Sequence, residues 1–127
     1  MKVFLDEDCG NSPRNLFLKN FTVAFTKGES KYVQQNITED AKWDYIGNKV
    51  ITGKDDFLKE LLKSKFIKPK KIKIDSVISH GNTGAVSGFM DLENGRNYAF
   101  CHVFRLSGFP RKAIVKKISS FVIKVKR

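Results

Sequence analysis

The hydrophobic pattern of this 127-residue chain changes its period once, near Pro69. Before that point apolar residues recur at helical spacing, and after it they alternate with polar residues as they do in β-strands. Four strand-like runs then follow one another: KIKIDSVIS, GAVSGFMDL, RNYAFCHVFRL and AIVKKISSFVIKV. Helices followed by successive strands are typical of an α+β domain, so we expect helices packed against an antiparallel sheet.

Three helices are predicted in the first half. Ser12–Pro13 has the pattern of an N-cap followed by proline in the first turn, and Gly28 can end that helix. Ser30 can cap a short second helix. Thr52 and Asp55 have the spacing of a capping box that opens a third helix. Between the second and third helices, the segment AKWDYIG is strand-like.

Length and composition predict one domain without a metal or a membrane span. We expect residues 1–12 to be an N-terminal lead-in and residues 13–127 to be a single domain. Cys9 and Cys101 lie far apart and lack the spacing of metal ligands, which suits a reducing cytoplasm. The acidic N-terminus does not resemble a signal peptide, and no apolar run is long enough to cross a bilayer. We therefore expect a cytoplasmic protein.

The formal net charge of +11 favours anionic partners by long-range attraction. In the most basic segment, KPKKIKI, however, lysines alternate with isoleucines and no aromatic residue is interleaved with them. Proteins that bind single-stranded nucleic acid combine basic grooves with exposed aromatic rings. Weak nucleic-acid binding is therefore our third hypothesis, after two hypotheses based on the core, and we do not expect a nucleic-acid partner.

The dipeptide Asn94-Gly95 is the strongest hairpin signal in the chain, and it predicts a two-residue turn. With that turn, Phe89 pairs with Phe100 and Ser87 pairs with His102. Neighbouring residues in a strand point to opposite faces, so Cys101 and His102 cannot form a catalytic pair or a local metal site.

The same register makes both faces of this hairpin apolar, whereas an antiparallel sheet in a monomer usually leaves one face polar. If helices cover one face, a second copy of the chain is the simplest cover for the other. We therefore expect a two-fold homodimer. Its interface is predicted to contain Val86, Met90, Cys101 and Val103.

The segment FTVAFTKGESKYVQQNITEDAKWDYIGNKVITGKDDFLKELL resembles the first half of the nuclear transport factor 2-like superfamily, especially its SnoaL-like, ketosteroid-isomerase-like bacterial members. HVFRLSG and KKISSFVIKV are similar to the last two strands of that family. The resemblance implies a cystatin-like cone, in which a curved antiparallel sheet wraps around about three N-terminal helices. It also implies an internal pocket and, often, dimers formed sheet to sheet.

The resemblance also allows a test for steroid-isomerase chemistry, which needs a carboxylate base and two oxyanion donors. The position of the family's tyrosine falls at Phe21, the base falls at Tyr45, and the aspartic acid falls at His102. All three groups are replaced, so we do not expect steroid-isomerase activity.

Our first hypothesis is a pocket for a small apolar or amphipathic ligand, without a cofactor, with His102 as its polar centre and candidate catalytic residue. The alternative interpretation is that His102 only completes the wall, satisfied by Ser87 or a backbone carbonyl. The second hypothesis is a non-catalytic dimeric module whose cone is filled by its own side chains. A cavity under about 100 Å³ would favour the filled cone, since ligand pockets start at roughly 300 Å³. The expected pocket residues are Phe17, Phe21, Trp43, Tyr45, Ser87, Phe89, Phe100, Ser119 and Phe121.

Overall fold

In the structure, the change of period near Pro69 separates a mainly helical half from most of the sheet. The structure is a computed structural model that describes residues 1–5, 12–64, 69–108 and 113–126. Cys9 lies outside the described residues. The helices are α1 (Pro13–Lys27), α2 (Ser30–Gln35) and α3 (Lys54–Ser64). The strands are β1 (Lys2–Leu5), β2 (Ile37–Tyr45), β3 (Lys49–Thr52), β4 (Pro69–His80), β5 (Thr83–Leu92), β6 (Asn97–Ser107) and β7 (Ile114–Val125).

The caps predicted for the first helix are confirmed. The Ser12 hydroxyl accepts a hydrogen bond from the backbone N–H of Asn15 at 3.1 Å, and Gly28 ends the helix with φ 73°. The predicted cap of the third helix is wrong, because Thr52 is the last residue of β3 and the helix starts after Gly53. The Phe57 N–H donates to the Gly53 carbonyl at 2.9 Å, so backbone groups close this first turn.

The seven strands form one sheet in the order β1-β4-β5-β6-β7-β2-β3. The expected α+β cone is confirmed, but the sheet is mixed, since β1 pairs with β4 and β2 pairs with β7 in parallel. The sequence analysis missed β1 and β3. Each has only four residues, which is too short to show a clear alternation. Residues 2–5, expected as part of the lead-in, thus extend one edge of the sheet.

The turn between β5 and β6 has one more residue than expected. The Leu92 N–H donates to the Arg96 carbonyl at 2.9 Å, and Gly95 adopts φ 85°. The loop is therefore Glu93-Asn94-Gly95, a three-residue hairpin with a left-handed glycine. The additional residue shifts the register by one, so that Gly88 pairs with Phe100 and Val86 pairs with His102.

This shift turns every side chain of β5 to the face opposite the predicted one. Val86 and Met90 face the helices, together with Phe100 and His102. The predicted pairs Phe89–Phe100 and Ser87–His102 are therefore wrong. Ser87 lies opposite Cys101 and Phe89 opposite Ala99, on the outer face of the sheet.

The core lies between the helices and the inner face of the sheet. Phe21 of α1 is fully buried and meets Phe104 edge to face, with ring centroids 5.9 Å apart. Phe57 of α3 is also fully buried, and its ring lies 5.4 Å from that of Trp43 on β2. Among the described residues, no helix is long and apolar enough to cross a membrane.

Close packing of β4 against β5 leads to the first prediction. A Cβ atom added at Gly88 would overlap the backbone carbonyl oxygen of Lys73, which cannot move without disturbing β4. At Gly84 the added atom would overlap the end of the Leu18 side chain, which is flexible, and would lie 3.1 Å from the Ile78 carbonyl oxygen, a tight contact but not an overlap. We expect Gly88→Ala to lower the free energy of unfolding by at least about 2 kcal/mol and Gly84→Ala by about 1 kcal/mol. Urea unfolding of both variants measures this difference, and equal losses would contradict it.

Candidate functional site

A cavity of about 190 Å³ lies between the ends of α1 and α3 and the inner face of the sheet. Most of its walls are aromatic or aliphatic, and none of the lining residues that the structure describes carries a charge. The lining residues are Phe25, Thr26, Trp43, Tyr45, Leu61, Pro69, Met90, Leu92, Tyr98, His102, Ser120 and Val122. An apolar space with a few polar groups is the usual form of a small-molecule site.

A short chain of hydrogen bonds crosses the wall of this cavity. The indole N–H of Trp43 donates to the Ser120 hydroxyl oxygen at 3.0 Å. The same oxygen lies 2.8 Å from Nδ1 of His102. The three side chains are at most 4% exposed, so each bond is shielded from water. Strand pairing produces this arrangement, since Ser120 lies opposite His102 and β2 runs alongside β7.

Aromatic rings surround the imidazole of His102. Phe25 meets it edge to face at 5.4 Å, and Phe100 lies tilted against it at 5.0 Å. Such surroundings penalise a positive charge. Burial therefore lowers the pKa of the His102 imidazole from its usual 6.5 to about 4, and the ring is neutral at physiological pH.

Two tyrosines complete the polar part of the cavity wall. Tyr45 stacks on Trp43 with ring centroids 6.0 Å apart. Burial raises the pKa of the Tyr45 hydroxyl, and the proximity of Tyr98 raises it further. Tyr45 and Tyr98 are both half-buried, in contrast to the fully enclosed His102. The cavity therefore combines a buried imidazole with hydroxyls nearer the surface.

The structure brings together only part of the predicted pocket. Trp43, Tyr45 and His102 line the cavity. Phe21 and Phe100 are buried in the surrounding core, and Phe17 packs partly buried against it. Whether these residues bind a ligand stays a prediction.

Four predicted pocket residues lie on the outer face of the sheet instead. Ser87 and Phe89 are there because of the shifted hairpin register. Ser119 and Phe121 pair with Val103 and Cys101, which also point outward. The β7 residues that reach the cavity are Ser120 and Val122, one position further along the chain.

The predicted interface residues divide in the same way. Val86 and Met90 face inward, and Met90 lines the cavity, so neither can contact a second copy across the outer face. Cys101 and Val103 do lie on the outer face. The expectation that Cys101 and His102 point to opposite sides is confirmed, and with it the exclusion of a Cys-His pair.

The sequence analysis missed Ser120, the polar partner of His102. The alternation within ISSFV placed either Ser119 or Ser120 inside, and only the position of Trp43 across β2 and β7 distinguishes them. In the part of the chain that the structure describes, no group of three His, Cys, Asp or Glu residues could hold a metal ion.

The pKa of His102 predicts how stability depends on pH. The unfolded chain takes up a proton near pH 6.5 and the folded imidazole only near pH 4, so the unfolded state binds more protons between these values. Stability is therefore undiminished above this interval and falls as the pH drops through it, by about 3 kcal/mol in all.

Urea unfolding at pH 7 and pH 4, compared between the wild type and His102→Gln, measures this contribution. Carboxylates titrate in both proteins, so the difference between the two pH dependences isolates the imidazole. The wild type should lose more stability than the variant on acidification. Equal losses would mean that His102 is not held neutral by burial.

Comparison with known proteins places the chain by its fold. No family sequence model matches it, and no curated protein matches it. Its structure is similar to that of an NTF2-like protein of unknown function from Cytophaga hutchinsonii, with 22% identity over 84% of this chain and 96% of that one and a TM-score of 0.63. An NTF2-like protein of unknown function from Burkholderia xenovorans is 18% identical over 87% of this chain and 82% of that one, with a TM-score of 0.68.

A third similar structure is SalBIII, an epoxide hydrolase/cyclase-like enzyme of pyran ring formation in the polyether salinomycin. It is 14% identical over 87% of this chain and 91% of that one, with a TM-score of 0.71. At these identities the likeness concerns the backbone and not the residues of the site. The chain therefore has the nuclear transport factor 2-like fold, as the resemblance of its first half and last strands implies.

Proposed function

We propose that this protein binds a small apolar or amphipathic molecule in the cavity beside His102. The observation that carries the proposal is the uncharged cavity of about 190 Å³ with a neutral, buried imidazole in its wall. Apolar contacts would supply most of the affinity, and the few polar groups would orient the ligand.

The size of the cavity suits a ligand of one or two rings. At about 190 Å³ it exceeds the volume that side chains would leave in a filled cone. It is smaller than the roughly 300 Å³ at which drug-sized pockets begin, yet larger than cavities of about 150 Å³ that hold benzene. Large rings such as Phe21, Phe57 and Phe104 fill the neighbouring core, and the space beside His102 remains in spite of them.

The chemistry of the wall favours binding over proton transfer. A general base works best when its pKa lies near the working pH. The pKa of His102 is about 4, and the described part of the chain places no carboxylate in the cavity wall to replace it. SalBIII, with the same fold, is an enzyme, but the proposal for this chain rests on its own cavity.

Filling the cavity tests this function. We expect Val122→Phe to occupy part of the space and to weaken binding of 1-indanone, a flat bicyclic ketone, by at least about tenfold, which is the effect of losing roughly 1.4 kcal/mol. Trp43 is the only tryptophan of the chain and lines the cavity, so its fluorescence reports binding directly. The control is Ile123→Phe, the same enlargement at the next residue, which points to the outer face. Equal affinities of the two variants would contradict the site.

We also propose that the protein is a homodimer formed through the outer face of the sheet. The outward positions of β4 to β7 carry no charge between two charged borders. Lys73, Asp75 and Asp91 form one border, where Asp75 lies at the bulge of β4 and pairs with Lys73, and Arg105 and Lys117 form the other. We call this surface the outer patch. It comprises Ile78, Phe89, Cys101, Val103, Phe121 and Ile123.

The outer patch is strongly apolar where it is most exposed. Ile78 is 62% exposed and Ile123 is 64% exposed. A chain with a net charge of +11 repels its own copies, so a self-association surface has to exclude its charged residues. An acidic partner would be recognised by basic residues, which the outer patch lacks. These features favour a second copy of the chain as the partner that covers the outer patch.

A charge placed in the outer patch tests the dimer. We expect Ile123→Lys to convert the dimer to a monomer, because two lysines would be buried at a two-fold interface without a partner. Val50→Lys introduces the same charge at a residue of β3 that is 56% exposed, and should leave the dimer intact. Light scattering at micromolar concentration measures both masses. A monomeric wild type would contradict the proposal.

A further inference from the structure

The direction of the hydrogen bonds in the Trp43–Ser120–His102 chain has a consequence for the ligand. An indole N–H can only donate, so the Ser120 oxygen is the acceptor of the first bond. The second bond has two possible directions: the Ser120 O–H donates to Nδ1, or Nδ1 carries a proton and donates to Ser120.

Only the first direction satisfies the serine. The side-chain partners of Ser120 among the described residues are Trp43 and His102. If Nδ1 also donated to Ser120, the hydroxyl proton would have no acceptor although the side chain is only 1% exposed. Buried donors without acceptors are rare in proteins, so the hydroxyl proton points to Nδ1.

A neutral imidazole carries one proton, and with Nδ1 as acceptor that proton is on Nε2. Within the described part of the chain, Nε2 has no hydrogen-bond partner, and His102 lines the cavity. Its N–H is therefore a hydrogen-bond donor available to a molecule in the cavity. Burial lowers the pKa of His102 to about 4, which keeps the ring in this neutral form.

We infer that the cavity selects an uncharged ligand whose hydrogen-bond acceptor, such as a ketone, lactone or quinone oxygen, receives the Nε2–H of His102. A ligand with only a donor at this position would leave two donors facing each other. A carboxylate or an amine would lose its hydration without meeting an opposite charge, because none of the described residues that line the cavity is charged. The ligand class rests on the proposed binding function, whereas the direction of the hydrogen bonds does not.

The tautomer of His102 and the ligand class can be tested separately. The first experiment is nitrogen NMR of the ligand-free protein labelled in its histidines, in which the coupling of each ring nitrogen to the carbon-bound protons identifies the protonated nitrogen. We expect His102 to be protonated on Nε2 alone. Protonation on Nδ1 would overturn the inference, even if the cavity binds ligands.

The second experiment compares 1-indanone with indane, which has the same ring frame without the carbonyl, by titration of Trp43 fluorescence. The ketone should bind about fivefold more tightly, the effect of one neutral hydrogen bond. Equal affinities would overturn the ligand class and leave the proposed binding function standing. If neither compound binds, the proposed function fails and the ligand class fails with it.

Ser120→Ala tests the role of the serine as a positioning residue. When the Ser120 hydroxyl is removed, Nδ1 of His102 has no donor, so the NMR signals should show both neutral tautomers. The preference for 1-indanone over indane should fall toward twofold or less. The matched control is Ser119→Ala, at the next residue on the outer face, which should change neither the tautomer nor the preference. A single Nε2–H tautomer in Ser120→Ala would overturn the assignment of Ser120 as the group that fixes it.

Discussion

The register of the β5–β6 hairpin decides which side chains this fold can use. It is fixed by the bond between the Leu92 N–H and the Arg96 carbonyl and by the left-handed conformation of Gly95. Side chains alternate along a strand, so a slip of one residue would exchange the two faces of β5. Met90 would then leave the cavity and Phe89 would enter it. The side chains that β5 contributes to the cavity and to the outer patch therefore depend on the length of this one loop.

Burying His102 is unfavourable in isolation, and the surrounding residues show how the fold compensates for it. The charged form is penalised by Phe25 and Phe100, so the imidazole stays neutral. The neutral form still needs a partner, and Ser120 provides one while also accepting from Trp43. One hydroxyl thus satisfies two buried nitrogen groups, which a backbone carbonyl could not do, since it cannot donate. This is why the cavity can hold a polar group and yet carry no charge.

Much of this fold is predictable from local patterns. Ser12, Pro13 and Gly28 delimit α1 by cap chemistry, and the alternation after Pro69 locates four strands. The short strands β1 and β3 could not be predicted because four residues show little pattern of their own, and β1 also pairs with a distant segment, β4. In the site, Trp43, Tyr45 and His102 were predicted, since each lies at an inward position of a well-marked strand. Ser87 and Phe89 were misplaced because a turn dipeptide does not reveal whether its loop has two residues or three. Ser119 and Phe121 were misplaced because the alternation within ISSFV allows either serine to face inward.

The cavity and the outer patch share the same strands and are separated by one layer of backbone. On β6, Cys101 points outward between Phe100 and His102, and on β7, Phe121 points outward between Ser120 and Val122. His102 therefore has both its neighbours, Cys101 and Val103, on the outer patch, and Val122 has Phe121 and Ile123 there. If the outer patch is covered by a second copy, the two central strands are held from both sides, and the imidazole and the serine are fixed in position as well. A hydrogen-bond chain such as Trp43–Ser120–His102 depends on distances near 3 Å, so it gains from strands that cannot shift. A dimer formed through the outer patch would thus support ligand selection through the rigidity of β6 and β7, with no movement required of either strand.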